Sequence, residues 1–145
     1  IYLSAGGFVK HTIFNEDMIC AGNMIQKGYK VAYAADARVI HSHNYSGKEQ
    51  FKRNFDLAVS QAQHPEIFQA VSSESEGVKM VKKTAAYLIQ KKYYWLLPEL
   101  LWQSGCKYIG YRMGKKYRML PCRVILKCTS NKSYWKEKKS EVVTN

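Results

Sequence analysis

Glu16–Asp17 and His41–Ser42–His43 are the groups in this chain whose residue types and spacing could do chemistry on a small substrate. An acidic pair opening an apolar-periodic stretch can supply a general base, provided that one carboxylate projects into a cleft. Asn15 is placed to cap the helix that follows, and a helix N-terminus favours the ionised form, so a base there starts deprotonated. Adjacent helical residues point about 100° apart, so the two carboxylates do not share one task. The plainer reading is that both only complement the helix dipole. His41 and His43 alternate on extended chain and share a face, a geometry in which a metal can use a histidine. Two histidines are an incomplete zinc site, and nothing in the spacing recruits Cys20. Each ring serves equally as a hydrogen-bonded loop residue.

The elements around these groups follow from periodicity. Met18, Ala21, Gly22 and Ile25 form one apolar or small face of a helix that stops at Gly28. "YKVAYA" (29–34) reads as a strand, "ADAR" as a loop, and a short strand ends at Val39–Ile40. The histidines therefore sit just beyond a strand end, where α/β proteins tend to place chemistry. "SAGGF" (4–8) reads as a turn. Ser46 and Glu49 have capping-box spacing ahead of Phe51, Phe55, Ala58, Val59 and Ala62, an amphipathic helix that "QHPE" ends or bends. Ser73 and Glu76 repeat that spacing before a helix with Val78, Val81, Ala85, Leu88 and Ile89 inward. A third helix is expected from about Pro98 to Met113, with Leu100, Leu101, Tyr108 and Ile109 available for packing.

Charge divides the chain in two. The net +12 arises entirely after residue 75; before it, seven Lys/Arg balance seven Asp/Glu. Lys82, Lys83, Lys91, Lys92, Lys115, Lys116 and Arg118 are interleaved there with Tyr and Trp, which suits an anionic partner, membrane surface or nucleic acid. A solvated helix face over a Tyr/Trp core is the plainer alternative. A basic nucleic-acid-binding module and a structural helical interaction domain are the rivals to any enzymatic reading. No helix-turn-helix, zinc-finger or RRM signature is present, and no nucleic acid is expected. Four scattered cysteines without a CxxC pair read as reduced thiols, which favours a cytoplasmic setting. The 145 residues are enough to bury a core, no apolar run is long enough to span a bilayer, and no signal peptide is visible. Opening on Ile1 rather than Met, the chain reads as cut from a longer protein.

Taken in order, "GGF", "NED", an amphipathic helix, "KGYKVAYAADARVIHSH" and the helix after "NYS" that carries "FKRNFD" resemble the C-terminal half of a family 2 glycosyltransferase with the GT-A fold. Within that family the run is most like the bacterial rhamnosyltransferases. The resemblance covers residues 3–65 and becomes a general likeness beyond about residue 75. It implies an α/β fold class: a partial GT-A domain over 1–70, a mainly helical basic extension over 71–130, and a mobile tail over 131–145. The implied activity is inverting transfer of a sugar, with rhamnose the family-level lean, from a nucleotide sugar to a saccharide or lipid-linked acceptor in cell-surface polysaccharide synthesis. By motif position Asp17 is the base, Glu16 its neighbour and an acceptor contact, and Gly6 and Gly7 line the acceptor side. His41 matches a histidine that joins a divalent cation, Mg²⁺ or Mn²⁺, with His43 a weaker substitute. The family's donor half, with its Asp-x-Asp motif, is not among these residues; Asp36 and Asp56 stand alone. Most of the donor and cation site is therefore expected elsewhere, and the chain alone is expected to be inactive. Residues 79–118 would hold it peripherally to the anionic inner face of a membrane.

Overall fold

Helical periodicity dominates the structure. The computed structural model describes residues 2–4, 6–40, 43–69 and 73–137. Helices form at α1 (Glu16–Gln26), α2 (Gly47–Gln63), α3 (Pro65–Phe68), α4 (Ser73–Gln90), α5 (Leu97–Lys115) and α6 (Cys122–Cys128). Short 3₁₀ turns occupy Tyr94–Leu96 and Tyr117–Met119, and residues 132–137 are helical.

The Ser46–Glu49 pair does form a capping box at the start of α2. Ser46 N–H donates to Glu49 Oε2 at 2.8 Å, and Glu49 N–H donates to Ser46 Oγ at 3.4 Å. The first of these bonds, and then the one to the Ser46 hydroxyl, hold the Glu49 carboxyl below its ordinary range. Phe55, Ala58 and Val59 on this helix have no exposed surface. Pro65 follows His64, so α2 stops there and α3 begins.

How α5 meets α2 is decided by glycine. A Cβ on Gly110 would lie 2.2 Å from the Phe51 carbonyl oxygen, and one on Gly114 would lie 2.3 Å from that of Phe55. At Gly47 a Cβ would meet Cys106 Sγ at 3.0 Å. The matched positions 47–106, 51–110 and 55–114 advance together, so the two helices run in the same direction with their backbones in contact. The contact face of α5 is thus the small-residue row Cys106, Gly110 and Gly114. Leu101, Tyr108 and Ile109, expected to pack, are instead more than half exposed. On α4 only Leu88 of the five expected inward residues is buried, while Val78 and Ile89 are exposed.

The core gathers Ile13, Phe55, Val59, Tyr117, Ile125, Cys128 and Tyr134, with Trp135 packed against it. Residues 131–137, expected in a mobile tail, are therefore docked through two aromatic rings; 138–145 lie outside the described residues. Asp56, on α2 and fully buried, ties this end down. Its Oδ1 accepts from Thr129 Oγ1 at 2.6 Å, and its Oδ2 accepts from Ser130 N–H at 2.8 Å and from the Ser130 hydroxyl. Burial pushes the Asp56 carboxyl above its ordinary range, opposed by these hydrogen bonds.

The expected α/β character is not seen: among the described residues there is no strand. Residues 29–34 and 39–40 carry the β-type pattern, yet Val31, Tyr33, Val39 and Ile40 face solvent. A strand is stable only when a neighbour takes its backbone groups and covers one face, and no described segment does so here. The "ADAR" stretch does turn, with Ala37 N–H on Ala34 O at 3.2 Å.

Gly110→Ala forces a methyl group into a backbone carbonyl and should cost about 1–3 kcal/mol, a fall in Tm of roughly 3–10 °C. Gly105→Ala has open space around it, so the same exchange should raise stability by about 0.5–1 kcal/mol. Thermal denaturation of the pair checks the packing argument. Asp56→Ala strands the donors of Thr129 and Ser130 and should cost about 2–4 kcal/mol. Because the folded-state pKa of Asp56 is raised, its protonation favours folding. That contribution is full below the ordinary carboxylate range and is lost as pH rises through the raised value. The Tm of the native chain relative to Asp56→Asn should accordingly decline across that window as pH increases.

Candidate active site

Glu16 and Asp17 form the exposed first turn of α1, at its positive end. Among the described residues neither carboxylate enters an ion pair; Asp17 Oδ1 accepts from Met18 N–H at 2.8 Å. Asn15 occupies the cap position but does not cap. Its backbone is left-handed (φ 63°), and its side chain turns to α2, where Nδ2 donates to Leu57 O at 3.3 Å. The preceding carbonyl, Phe14 O, accepts from Ser60 Oγ on α2 at 2.6 Å and from Thr12 Oγ1 at 2.9 Å. Buried Ile13 and Ile19 pin the segment from either side. The carboxylates are thus presented by a loop fastened to α2 through both polar and apolar contacts.

The histidine segment meets the same helix. His41 lies outside the described residues. His43 is exposed and its ring stacks on Tyr45, with centroids 4.9 Å apart and planes at 22°. Arg53, on α2, lies 4.8 Å from the Tyr45 ring and 5.0 Å from the Phe14 ring. One guanidinium therefore sits between the segment that ends in Glu16–Asp17 and the segment that carries His43. Reading the sequence did not single out Arg53, Ser60 or Asn15 in this role. A cation one position off the apolar face of an amphipathic helix carries no signal of what it will lie between.

Gly6 and Gly7 form the expected turn. Both have positive φ (95° and 65°), Gly6 N–H donates to Leu3 O at 3.1 Å, and Gly7 N–H donates to Tyr2 O at 3.0 Å. Lys27 Nζ holds this turn by donating to Ser4 O at 2.7 Å. Lys27 is at the C-terminal end of α1, about 16 Å along the helix from the carboxylates. The described contacts consequently fasten the glycine turn to the far end of α1.

The face of α1 expected to be inward, Met18, Ala21, Gly22 and Ile25, instead lines an open apolar groove of about 370 Å³ against Ile67 and Phe68 of α3. Burial on α1 falls to Ile19 and Cys20. Among the described residues no group of three or more His, Cys, Asp or Glu side chains could hold a metal ion. A divalent cation does not fit the described donors by themselves, and no chemistry of these residues is routed through one.

Two curated proteins align with almost all of the chain. The O-antigen chain rhamnosyltransferase WbaN of Salmonella anatum is 39% identical over 136 residues, and RfbN of Salmonella typhimurium, of the same description, is 40% identical over 136 residues. In each case the match takes in 93% of this chain and 43% of the relative, so the chain spans less than half the length of these proteins. No family model matches the chain, and no solved structure does. At this identity over nearly its whole length, the chain is homologous to a stretch of the O-antigen chain rhamnosyltransferases.

Proposed function

We propose that this chain is the base-bearing part of a glycosyltransferase in O-antigen assembly, one that moves rhamnose from a nucleotide sugar to a saccharide or lipid-linked acceptor. The homology to two rhamnosyltransferases supports the reaction class. The observation that carries the site is the α2 platform, where Arg53 lies between Phe14 and Tyr45 and so couples the acidic turn to the histidine segment.

In this reading Asp17 is the general base of an inverting displacement. The acceptor hydroxyl gives its proton to the Asp17 carboxylate while its oxygen forms a bond to the anomeric carbon. The bond from that carbon to the nucleotide diphosphate breaks on the opposite face, and the diphosphate leaves with the electron pair. An exposed carboxylate without an ion-pair partner is available for that proton, and the helix end favours its charged form. Glu16 points about 100° away and contacts the acceptor rather than sharing the proton. Gly6 and Gly7 would line the acceptor side once the remainder of the enzyme is in place. The cation that would stabilise the leaving diphosphate would draw most of its ligands from outside these residues, with His41, or failing it His43, added from this chain. The donor site likewise lies outside them, so the chain by itself should transfer no sugar.

Asp17→Asn in the full-length enzyme should lower sugar transfer by about 10²–10⁴-fold with donor binding intact, whereas Glu16→Gln should retain most activity. Transfer assays with nucleotide-sugar donors check this, and full activity in Asp17→Asn would overturn the assignment. Arg53→Ala should release both rings and lower kcat by about tenfold or more while leaving the Tm nearly unchanged. Arg53→Lys should not restore it, since an ammonium lacks the planar face that lies against two rings.

A further inference from the structure

The exposed aromatic residues of this chain are concentrated where α4 turns into α5. The turn itself is tightly closed. Lys92 N–H donates to Ile89 O at 3.0 Å and Tyr93 N–H to Leu88 O at 2.8 Å, the paired bonds that end a helix through a left-handed residue. That residue is Lys92, at φ 60°, a position where glycine is the usual occupant. The 3₁₀ turn Tyr94–Leu96 follows, and the Tyr93 and Trp95 rings meet edge to face at 5.5 Å. The backbone is thus fully engaged while the side chains are not. Trp95 is 69% exposed, Tyr94 54%, Leu96 43% and Tyr93 42%. Leu101 and Trp102, one to two turns into α5, extend the same apolar exposure.

The charge around this tip is of one sign. Lys82, Lys83, Lys91 and Lys92 on the α4 side are exposed. From Gly77 to Lys136 the chain has fourteen Lys/Arg and a single acidic residue, Glu99, whose Oε1 accepts from Gln103. Lys115, Lys116 and Arg118 lie at the other end of α5, about 28 Å along the helix, and do not belong to the tip. Two kinds of surface could cover exposed aromatics. Protein interfaces favour Tyr and Trp but are depleted in Lys. Membrane interfaces combine Trp and Tyr at headgroup level with Lys that reaches the anionic phosphates. The tip has the second composition. No described helix is long and apolar enough to cross a membrane, so the contact is a seat on the surface.

We propose that the α4–α5 connection, residues 91–96, is a membrane-contacting tip that seats Trp95 and Leu96 at the headgroup level of an anionic bilayer with Lys91 and Lys92 on its phosphates. The inference is independent of the role given to Asp17, and its test does not use sugar transfer. The full-length protein is mixed with phosphatidylcholine vesicles, with and without about one-third phosphatidylglycerol, and binding is read by co-sedimentation. Quenching of Trp emission by brominated lipid, compared between the native protein and Trp95→Phe, reports whether residue 95 enters the interface. The expected result is at least tenfold tighter binding to anionic vesicles, with a component of the quenching lost in Trp95→Phe. Lys91→Gln/Lys92→Gln should weaken anionic binding by about 30-fold. Trp95→Ser/Leu96→Ser should weaken it by tenfold or more, and both double variants, altered only at exposed positions, should keep the native Tm. Equal binding to neutral and anionic vesicles, or binding unchanged in both double variants, overturns the proposal. So does a shift in oligomeric state in these variants without loss of vesicle binding, which would assign the tip to a protein partner.

Discussion

The contact of α5 with the backbone of α2 is the constraint on which the rest of the structure depends. Gly110 and Gly114 leave no room for a side chain between their Cα atoms and the carbonyls of Phe51 and Phe55. Close approach of this kind gains dispersion and weak Cα–H···O contacts over several turns. It also fixes the axial register of the two helices, because only glycine can pass at those two places. Once α5 is seated in that register, Tyr117 and Ile125 reach the Phe55–Val59 side of α2 and the core closes.

With one side committed to α5, the remaining faces of α2 do the positioning. Leu57 and Ser60 fasten the loop before Glu16–Asp17, Arg53 joins that loop to Tyr45, and Asp56 secures residues 129 and 130. These contacts all start from one helix of seventeen residues. Site geometry and global stability are thus mechanically linked: a change that shifts α2 by one packing step moves the acidic turn, the histidine segment and the C-terminal anchor together. The polar fastenings are spaced along the helix, so each restrains a different turn.

Much of the helical framework was legible in the sequence because it rests on local chemistry. The Ser46–Glu49 box, the Phe51–Ala62 periodicity, the Pro65 break and the α5 span each follow from residues within a few positions of one another. The strands were not realised because β structure is a pairwise property: "YKVAYA" has the pattern but no described partner. The packing face of α5 was misjudged since apolar size drew attention to Leu101, Tyr108 and Ile109, whereas the glycine row carried the contact. Asn15 illustrates a third cause, a residue with the right type for a cap whose side chain is claimed by a helix 42 positions away in sequence. The acidic pair and the glycine turn were legible as motifs. Their placement at opposite ends of α1 follows from a lysine contact that no motif encodes.

The α2–α5 contact also has a consequence for how the chain is made. Phe51 and Gly110 are 59 residues apart, so α2 leaves the ribosome well before its partner exists. At ordinary elongation rates the interval is roughly 3–12 s, long against the time a helix needs to form. Throughout it, Phe55 and Val59 have no cover, and α4 must be synthesised and swing across before α5 can align in the same direction. Maturation of this region is thus paced by translation rather than by local folding. Slow codons or a pause placed between α2 and α5 would prolong the exposed interval, which makes this stretch the one where holdase chaperones have most to protect.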